Sequence, residues 1–239
     1  SLAVLHEMLA PYISSGKLTL LIEHKVRSAE YSGNRVKALK VQSLRSGRSY
    51  ILSGTYFVDA TETGELLPMT GTEFVMGTES RNETHELHAP LKADPDNQQA
   101  FTVCFAMDYL PDSNNVTEKP AEYDFWRNLV PKMSPAWSGK LLDLNYSNPK
   151  TLEKKTLGFN PDGSSTDPYL NLWNYRRILA KDNFMPGAFK GDICTVNWPQ
   201  NDYTLGNLVG VSQKEFDHHL GRGKQLSLSL FHWLQTEAP

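Results

Sequence analysis

Cysteine is nearly missing from this chain: Cys104 and Cys194 are the only two in 239 residues. Two thiols cannot build a disulfide scaffold, and they cannot supply the thiolate set of an iron–sulfur cluster or a four-cysteine zinc site. A reducing, cytoplasmic compartment is the corresponding expectation. Long apolar runs are missing too, since none approaches the ~20 residues that a membrane helix needs. The stretch from Ser1 to Ile13 has neither the basic start nor the small-residue cleavage site of a signal peptide. An excess of positive charge is also lacking, with 24 Lys and Arg against 27 Asp and Glu and a net charge of −3. That balance leaves no footprint for nucleic acid and no polybasic membrane signal. Three sequons, at Asn82, Asn115 and Asn145, read as chance matches without a secretory context.

What the chain has is apolar content enough for a core. The composition is 39% apolar and 10% aromatic, which suits one large domain or two smaller ones. Val4, Leu5, Met8, Leu9 and Tyr12 fall at helical spacing, and Leu18 to Ile22 reads as a short buried parallel strand. Val26 to Tyr31, Val36 to Leu44 and Tyr50 to Leu52 follow, separated by Ser32-Gly33-Asn34 and Ser46-Gly47, which predicts a three-stranded antiparallel meander. Tyr56 to Val58 then reads as another buried strand. Further on, strands are predicted at Phe101 to Tyr109 and Ile193 to Val196, with short helices at Tyr123 to Val130 and across Leu172 to Leu179. Pro149, Gly158, Pro161, Gly163 and Pro168 predict an irregular region between them. Ser212 to Glu215 is a capping box that opens a long helix, with Phe216, Leu220, Phe231 and Leu234 on its core side and Gly221 and Gly223 weakening or bending its middle. The opening helix starts without a cap and the last helix has no strand after it, so the expectation is a fragment of a longer protein.

Two segments concentrate chemistry. In TYFVDATETGELL, Thr55 to Leu67, an apolar run leads into acids, threonines and a glycine. Small residues there let a backbone approach a phosphate or ribose, and threonine hydroxyls can donate hydrogen bonds. The plainer reading is a capped strand-to-helix turn, with Thr61 or Thr63 as N-cap and no ligand. In NWPQNDY, Asn197 to Tyr203, two asparagines, an acid, an indole and a phenol fall within one short segment, a mixture suited to hydrogen bonding beside an aromatic ring system. Turn chemistry accounts for the same composition, with Pro199 setting φ, Asn201 and Asp202 making side-chain turns, and Trp198 and Tyr203 packing. Asp202 is a candidate proton acceptor, and no residue is assigned as the catalytic acid or base.

The order helix, strand, meander, strand, Thr/Gly turn resembles the FAD-dependent oxidoreductases of the glutathione-reductase-like two-dinucleotide-fold class. It is similar in particular to heterodisulfide-reductase-A-like and xanthan-lyase-type flavoproteins. The segments that carry the resemblance are FVDATETGELL, MTGTEFVMGTESRNETHE, NWPQNDY and LQTEAP. It implies FAD as cofactor, a small-molecule substrate, and an α/β (α+β overall) fold. In that fold residues 1–70 form a partial Rossmann-like FAD-binding domain with the meander. Residues 71–239 form a mixed β-rich substrate or cap domain whose last helix leads back toward the first. It further implies cofactor contacts at Val26, Ala60, Thr61, Glu62, Thr63, Gly64 and Glu65. Asn197, Trp198, Asn201, Asp202 and Tyr203 would face the flavin or substrate. The chain departs from the pattern in lacking the GxGxxG phosphate loop and the ribose-binding acid after it. Its one G-x-G, Gly221-Arg222-Gly223, sits in a helical pattern, so this segment alone is expected to hold FAD weakly and to be inactive. An alternative from another class is a cofactor-free β-rich binding domain. Polysaccharide cleavage would need an acid–base pair in a sugar groove, and no such pair is evident.

The remaining motifs carry less. His85-Glu86-Leu87-His88 is one residue short of the HExxH zinc spacing and reads as an exposed loop. His218 and His219 are helix neighbours that point apart and suit a surface. Arg176 and Arg177 suit a solvated helix face better than an anion site. No metal site and no oligomeric state are assigned.

Overall fold

The computed structural model describes residues 2–110, 113–133, 136–148, 151, 153–160 and 171–238. The predicted breaks at Pro149, Pro161, Gly163 and Pro168 lie outside the described residues. The chain divides into two units, residues 1–76 and 77–239. Both are built from helices and small sheets, and every strand ladder among the described residues is antiparallel. The fold is α+β.

In the first unit, α1 (Leu2–Ser14) buries none of its residues. The meander is formed as the sequence predicts, from β1 (His24–Ser32), β2 (Arg35–Ser43) and β3 (Ser49–Ser53) in that order. Ser32 pairs with Arg35 across a two-residue turn in which Gly33 takes φ 55°, the left-handed conformation that tight hairpins demand. The central strand buries Ala38, Leu39 and Val41, and the last two join Leu66 of the short helix α2 (Leu66–Thr70) in a small core. Val26, Ala29, Val36 and Phe57 pack around it. Two predicted strands are absent. Leu18 to Ile22 joins no strand ladder and ends in a turn at Ile22, with Leu20, Leu21 and Ile22 exposed, and Tyr56 and Val58 are 88% and 85% exposed. A buried strand needs neighbouring strands for its backbone groups, and among the described residues neither segment pairs with one.

In the second unit, β9 (Ile193–Val196) is the centre of a sheet, flanked by β5 (Phe105–Asp108) and β8 (Arg177–Leu179). The predicted strand 101–109 is split. Its first part, β4 (Phe101–Thr102), pairs with β10 (Asp202–Tyr203) in a separate sheet. At the break, the Val103 carbonyl accepts from two residues distant in sequence, Ser227 Oγ at 2.6 Å and Asn201 Nδ2 at 3.3 Å, outside any ladder. The predicted helix across 172–179 is divided as well, into α5 (Leu172–Tyr175) and strand β8, which takes the open edge of β9. Asn171 caps α5 by accepting from Trp173 N at 2.9 Å. Around these lie α3 (Arg81–Thr84), α4 (Tyr123–Asn128) and the hairpin β6 (Asn145–Ser147) with β7 (Lys154–Thr156).

The last helix, α6 (Gln213–Thr236), starts at the predicted Ser212/Glu215 capping box and runs unbroken through both glycines. Gly221 faces open space, whereas Gly223 lies against Phe101, whose ring a Cβ would meet at 2.7 Å. Leu226, Leu230 and Trp233 of α6 join Trp126, Trp198, Tyr203, Cys194 and Val196 in the main core. No helix of the described residues is long and apolar enough to cross a membrane.

Glu237, just past α6, anchors this helix to α4. It accepts from Arg127 Nε at 2.7 Å and from Tyr123 OH at 2.5 Å. The Arg127 bond and then the Tyr123 bond hold its carboxyl down to about 2, while burial, with Glu237 next, pushes the Tyr123 phenol up to about 12. Because the folded value lies below the ordinary 4.5, the contribution to stability is complete above pH ~4.5 and is lost as pH falls toward 2. Glu237→Gln is therefore expected to flatten the acid limb of the stability curve across that window. At neutral pH it should cost only about 1 kcal/mol, since both partners are part-exposed. Urea titrations of both proteins from pH 2 to 7 check this, and parallel curves would refute it.

Candidate functional site

The turn that follows Tyr56 to Val58 is organised by one residue that the sequence reading passed over. The Asp59 carboxylate accepts from Thr61 N at 3.0 Å, Thr61 Oγ1 at 2.7 Å and Leu66 N at 2.9 Å. These donors, the Thr61 backbone first, hold its pKa below the usual carboxylate value. Thr61 Oγ1 in turn accepts from Glu65 N at 2.9 Å. The start of α2 is thus served by Asp59 and Thr61, while its N-cap position, Glu65, makes no side-chain cap bond. Glu65 instead reaches Lys25 Nζ at 3.3 Å, which ties the turn to β1. The aspartate could have been found in the sequence, since Asp-x-Thr ahead of an apolar helical start is an Asx-type pattern.

The geometry leaves a patch of backbone donors. Ala60, Thr61, Glu62 and Thr63 are exposed. The N–H groups of Ala60, Glu62 and Thr63 have no acceptor among the described residues. Gly64 turns the chain at φ 64°, where a Cβ would meet Leu67 Cδ1 at 3.0 Å. Val26 lies beside this turn within the first unit, paired with Val41 and packed on the Leu39/Val41/Leu66 core. Ala60 to Glu65 thus form one turn, and Val26 shares with it the core that Leu66 enters.

The second set belongs to the other unit and is split by burial. Trp198, Asn201 and Tyr203 are at most 1% exposed. Asn201 Oδ1 accepts from Trp198 N at 2.8 Å, and its Nδ2 donates to Val103 O and, at 3.4 Å, to Ser227 Oγ. Tyr203 OH bonds His219 Nδ1 at 2.9 Å, so His219 is half-buried and not the surface residue expected, while His218 is exposed. The Trp198 indole N–H is buried with no acceptor among the described residues. Asn197 and Asp202 sit at the edge. Asn197 Nδ2 lies 3.2 Å from the exposed Cys104 Sγ, and Asp202 accepts from Thr102 Oγ1. Burial raises the Asp202 pKa, against the lowering effect of that hydroxyl. Cys104, Thr102 and His219 are neighbours that no sequence signal could supply, because Cys104 and Thr102 stand about a hundred positions away along the chain.

The other candidates fall outside these sites. His85 takes the left-handed C-cap of α3 at φ 60°, with the next residues in an exposed loop. Arg177 pairs with Asp192 at 2.9 Å. Burial pushes the Cys194 thiol up to about 12, which removes it as a nucleophile.

No curated protein and no solved structure matches the chain. The family model described as FAD dependent oxidoreductase matches residues 1–238, nearly its whole length. The chain accordingly belongs to the FAD dependent oxidoreductase family, whose cofactor is FAD.

Proposed function

We propose that this chain supplies one wall of an FAD site, at the 60–65 turn and β1, and that residues 71–239 form the substrate domain of a two-electron oxidoreductase. The observation that carries this reading is the exposed set of N–H donors at Ala60, Glu62 and Thr63, fixed by Asp59 and turned by Gly64. Such donors fit a ligand rich in phosphate and carbonyl oxygens. Val26 contributes strand backbone beside them, and Glu65 is engaged with Lys25, so its carboxylate serves the turn. When bound, FAD supplies the acceptor for two electrons, and the protein binds, orients and excludes water.

Within the family, we propose kinship with the two-dinucleotide-fold, heterodisulfide-reductase-A-like and xanthan-lyase-type flavoproteins, on the resemblance carried by FVDATETGELL and NWPQNDY. A dinucleotide fold needs a GxGxxG loop, and this sequence contains none, so tight retention of FAD and turnover require a segment beyond it. Asp202 is the proposed proton-handling residue at the substrate side, since burial keeps its proton to higher pH than an ordinary aspartate. Asn197 and Cys104 would border the same edge.

The test is flavin retention by the complete gene product. It should carry the near-ultraviolet and blue absorbance bands of flavin after reconstitution with FAD and desalting. Asp59→Ala should weaken FAD binding about tenfold, because the turn loses the carboxylate that holds Thr61 N and Leu66 N and so positions the free donors. A product that retains no flavin, or an Asp59→Ala variant with unchanged affinity, overturns the proposed site.

A further inference from the structure

A cavity of about 430 Å³ opens in the second unit, apart from every residue discussed as a cofactor or flavin-facing candidate. Its size suits a small organic molecule. One side is aromatic: Trp173 stacks on Phe159 with centroids 5.8 Å apart, Tyr109 meets Trp173 edge-on at 6.0 Å, and Phe231 completes the wall. Asp108 and Asn114 also line it. Asp108 ends β5, and neither side chain has a hydrogen bond or ion pair among the described residues. Among the described residues no lysine, arginine or histidine lines the cavity.

We propose that this cavity is a binding site for a cationic, ring-bearing small molecule, an arylalkylamine in chemical class. The argument is charge complementarity joined to ring chemistry. The Asp108 carboxylate, without a partner among the described residues, attracts an ammonium and repels a carboxylate or phosphate. Electron-rich ring faces hold both the flat part of such a ligand and its charge. Asn114 adds a donor and an acceptor for a polar substituent. Among the described residues an anionic substrate meets no counter-charge on these walls, which separates this site from the backbone-donor patch of the first unit. Occupancy does not depend on bound FAD, so the site stands or falls independently of the proposed flavin wall.

Calorimetric titration with 2-phenylethylammonium, 2-phenylethanol and phenylacetate tests it directly, with tryptophan fluorescence as a second readout for Trp173. The ammonium should bind about fivefold tighter than the alcohol, the combined effect of a part-exposed ion pair and a cation–ring contact. Phenylacetate should bind weakest. Asp108→Asn, at an exposed position, should bring the ammonium down to the affinity of the alcohol and leave the alcohol unchanged. Ala238→Trp, which adds bulk at the cavity wall, should abolish binding of both. Absence of ammonium binding, equal affinity of the ammonium and the alcohol in the wild type, or a preference that survives Asp108→Asn would overturn the assignment.

Discussion

Asn201→Ala is expected to cost about 3 kcal/mol of stability, a large effect for the removal of one amide. The residue is fully buried, and its side chain serves three partners at once: Trp198 N, Val103 O and Ser227 Oγ. Alanine leaves the Trp198 N–H buried without an acceptor, and a buried orphan donor costs about 1–3 kcal/mol. The lost amide also leaves a void beside α6. The Val103 carbonyl keeps its bond from Ser227, so that group adds little. Asn201→Asp separates these contributions. It keeps the acceptor for Trp198 N but sets a carboxylate against the Val103 carbonyl, so it should be worse than alanine near neutral pH and recover as the acid is protonated. Chemical denaturation followed by far-ultraviolet circular dichroism at two pH values measures both. A loss below about 0.5 kcal/mol for Asn201→Ala, within the range of ordinary surface changes, would mean that this asparagine does not pin the β4/β5 break.

Trp126→Ala should be costlier still, at about 4–5 kcal/mol. Trp126 is 1% exposed and meets the Tyr203 ring edge-on at 5.9 Å. The Arg222 guanidinium lies 5.0 Å from its ring, and Nε1 donates to Glu122 Oε2 at 3.0 Å. Truncation opens a cavity at the centre of the main core and takes away a partner of both Glu122 and Arg222. Trp126→Phe keeps most of the packing and loses the hydrogen bond, so about 1–2 kcal/mol is expected. Against a typical domain stability of ~5–15 kcal/mol, the alanine change alone endangers folding of the second unit. Equal losses in Phe and Ala would show that the indole N–H, not the ring volume, carries the stabilisation.

Local patterns in the chain predicted local structure well. The meander followed from alternation and from Ser32-Gly33-Asn34, because a two-residue turn fixes register without help from distant residues. The α6 start followed from Ser212 and Glu215, which bond each other. Apolar runs were less informative. Leu18 to Ile22 and Tyr56 to Val58 have strand composition, yet composition supplies no partner, and pairing decides. The split of FTVCFAMDY was hidden for a related reason: its cause is Asn201 and Ser227, far along the chain. At the candidate site, the Thr/Gly turn was legible because small residues and a glycine report backbone conformation directly. The partition of NWPQNDY into a buried asparagine, indole and phenol and a peripheral asparagine and aspartate was not legible, since identical residue types serve turns, cores and ligands alike.

The reach of α6 along the chain bears on how the protein is made. Ser227 bonds a carbonyl 124 positions earlier, Gln235 bonds Thr117 across 118, and Tyr123 bonds Glu237 across 114. On the ribosome, the meander of the first unit can close as soon as its three neighbouring strands have emerged. The second unit has no such early option, because Leu226, Leu230 and Trp233 can complete its core only after the residues from 77 to 225 have been synthesised. Until α6 emerges, Trp126, Trp198 and Tyr203 therefore wait without their cover, and the nascent second unit exposes apolar surface of the kind that invites misassociation.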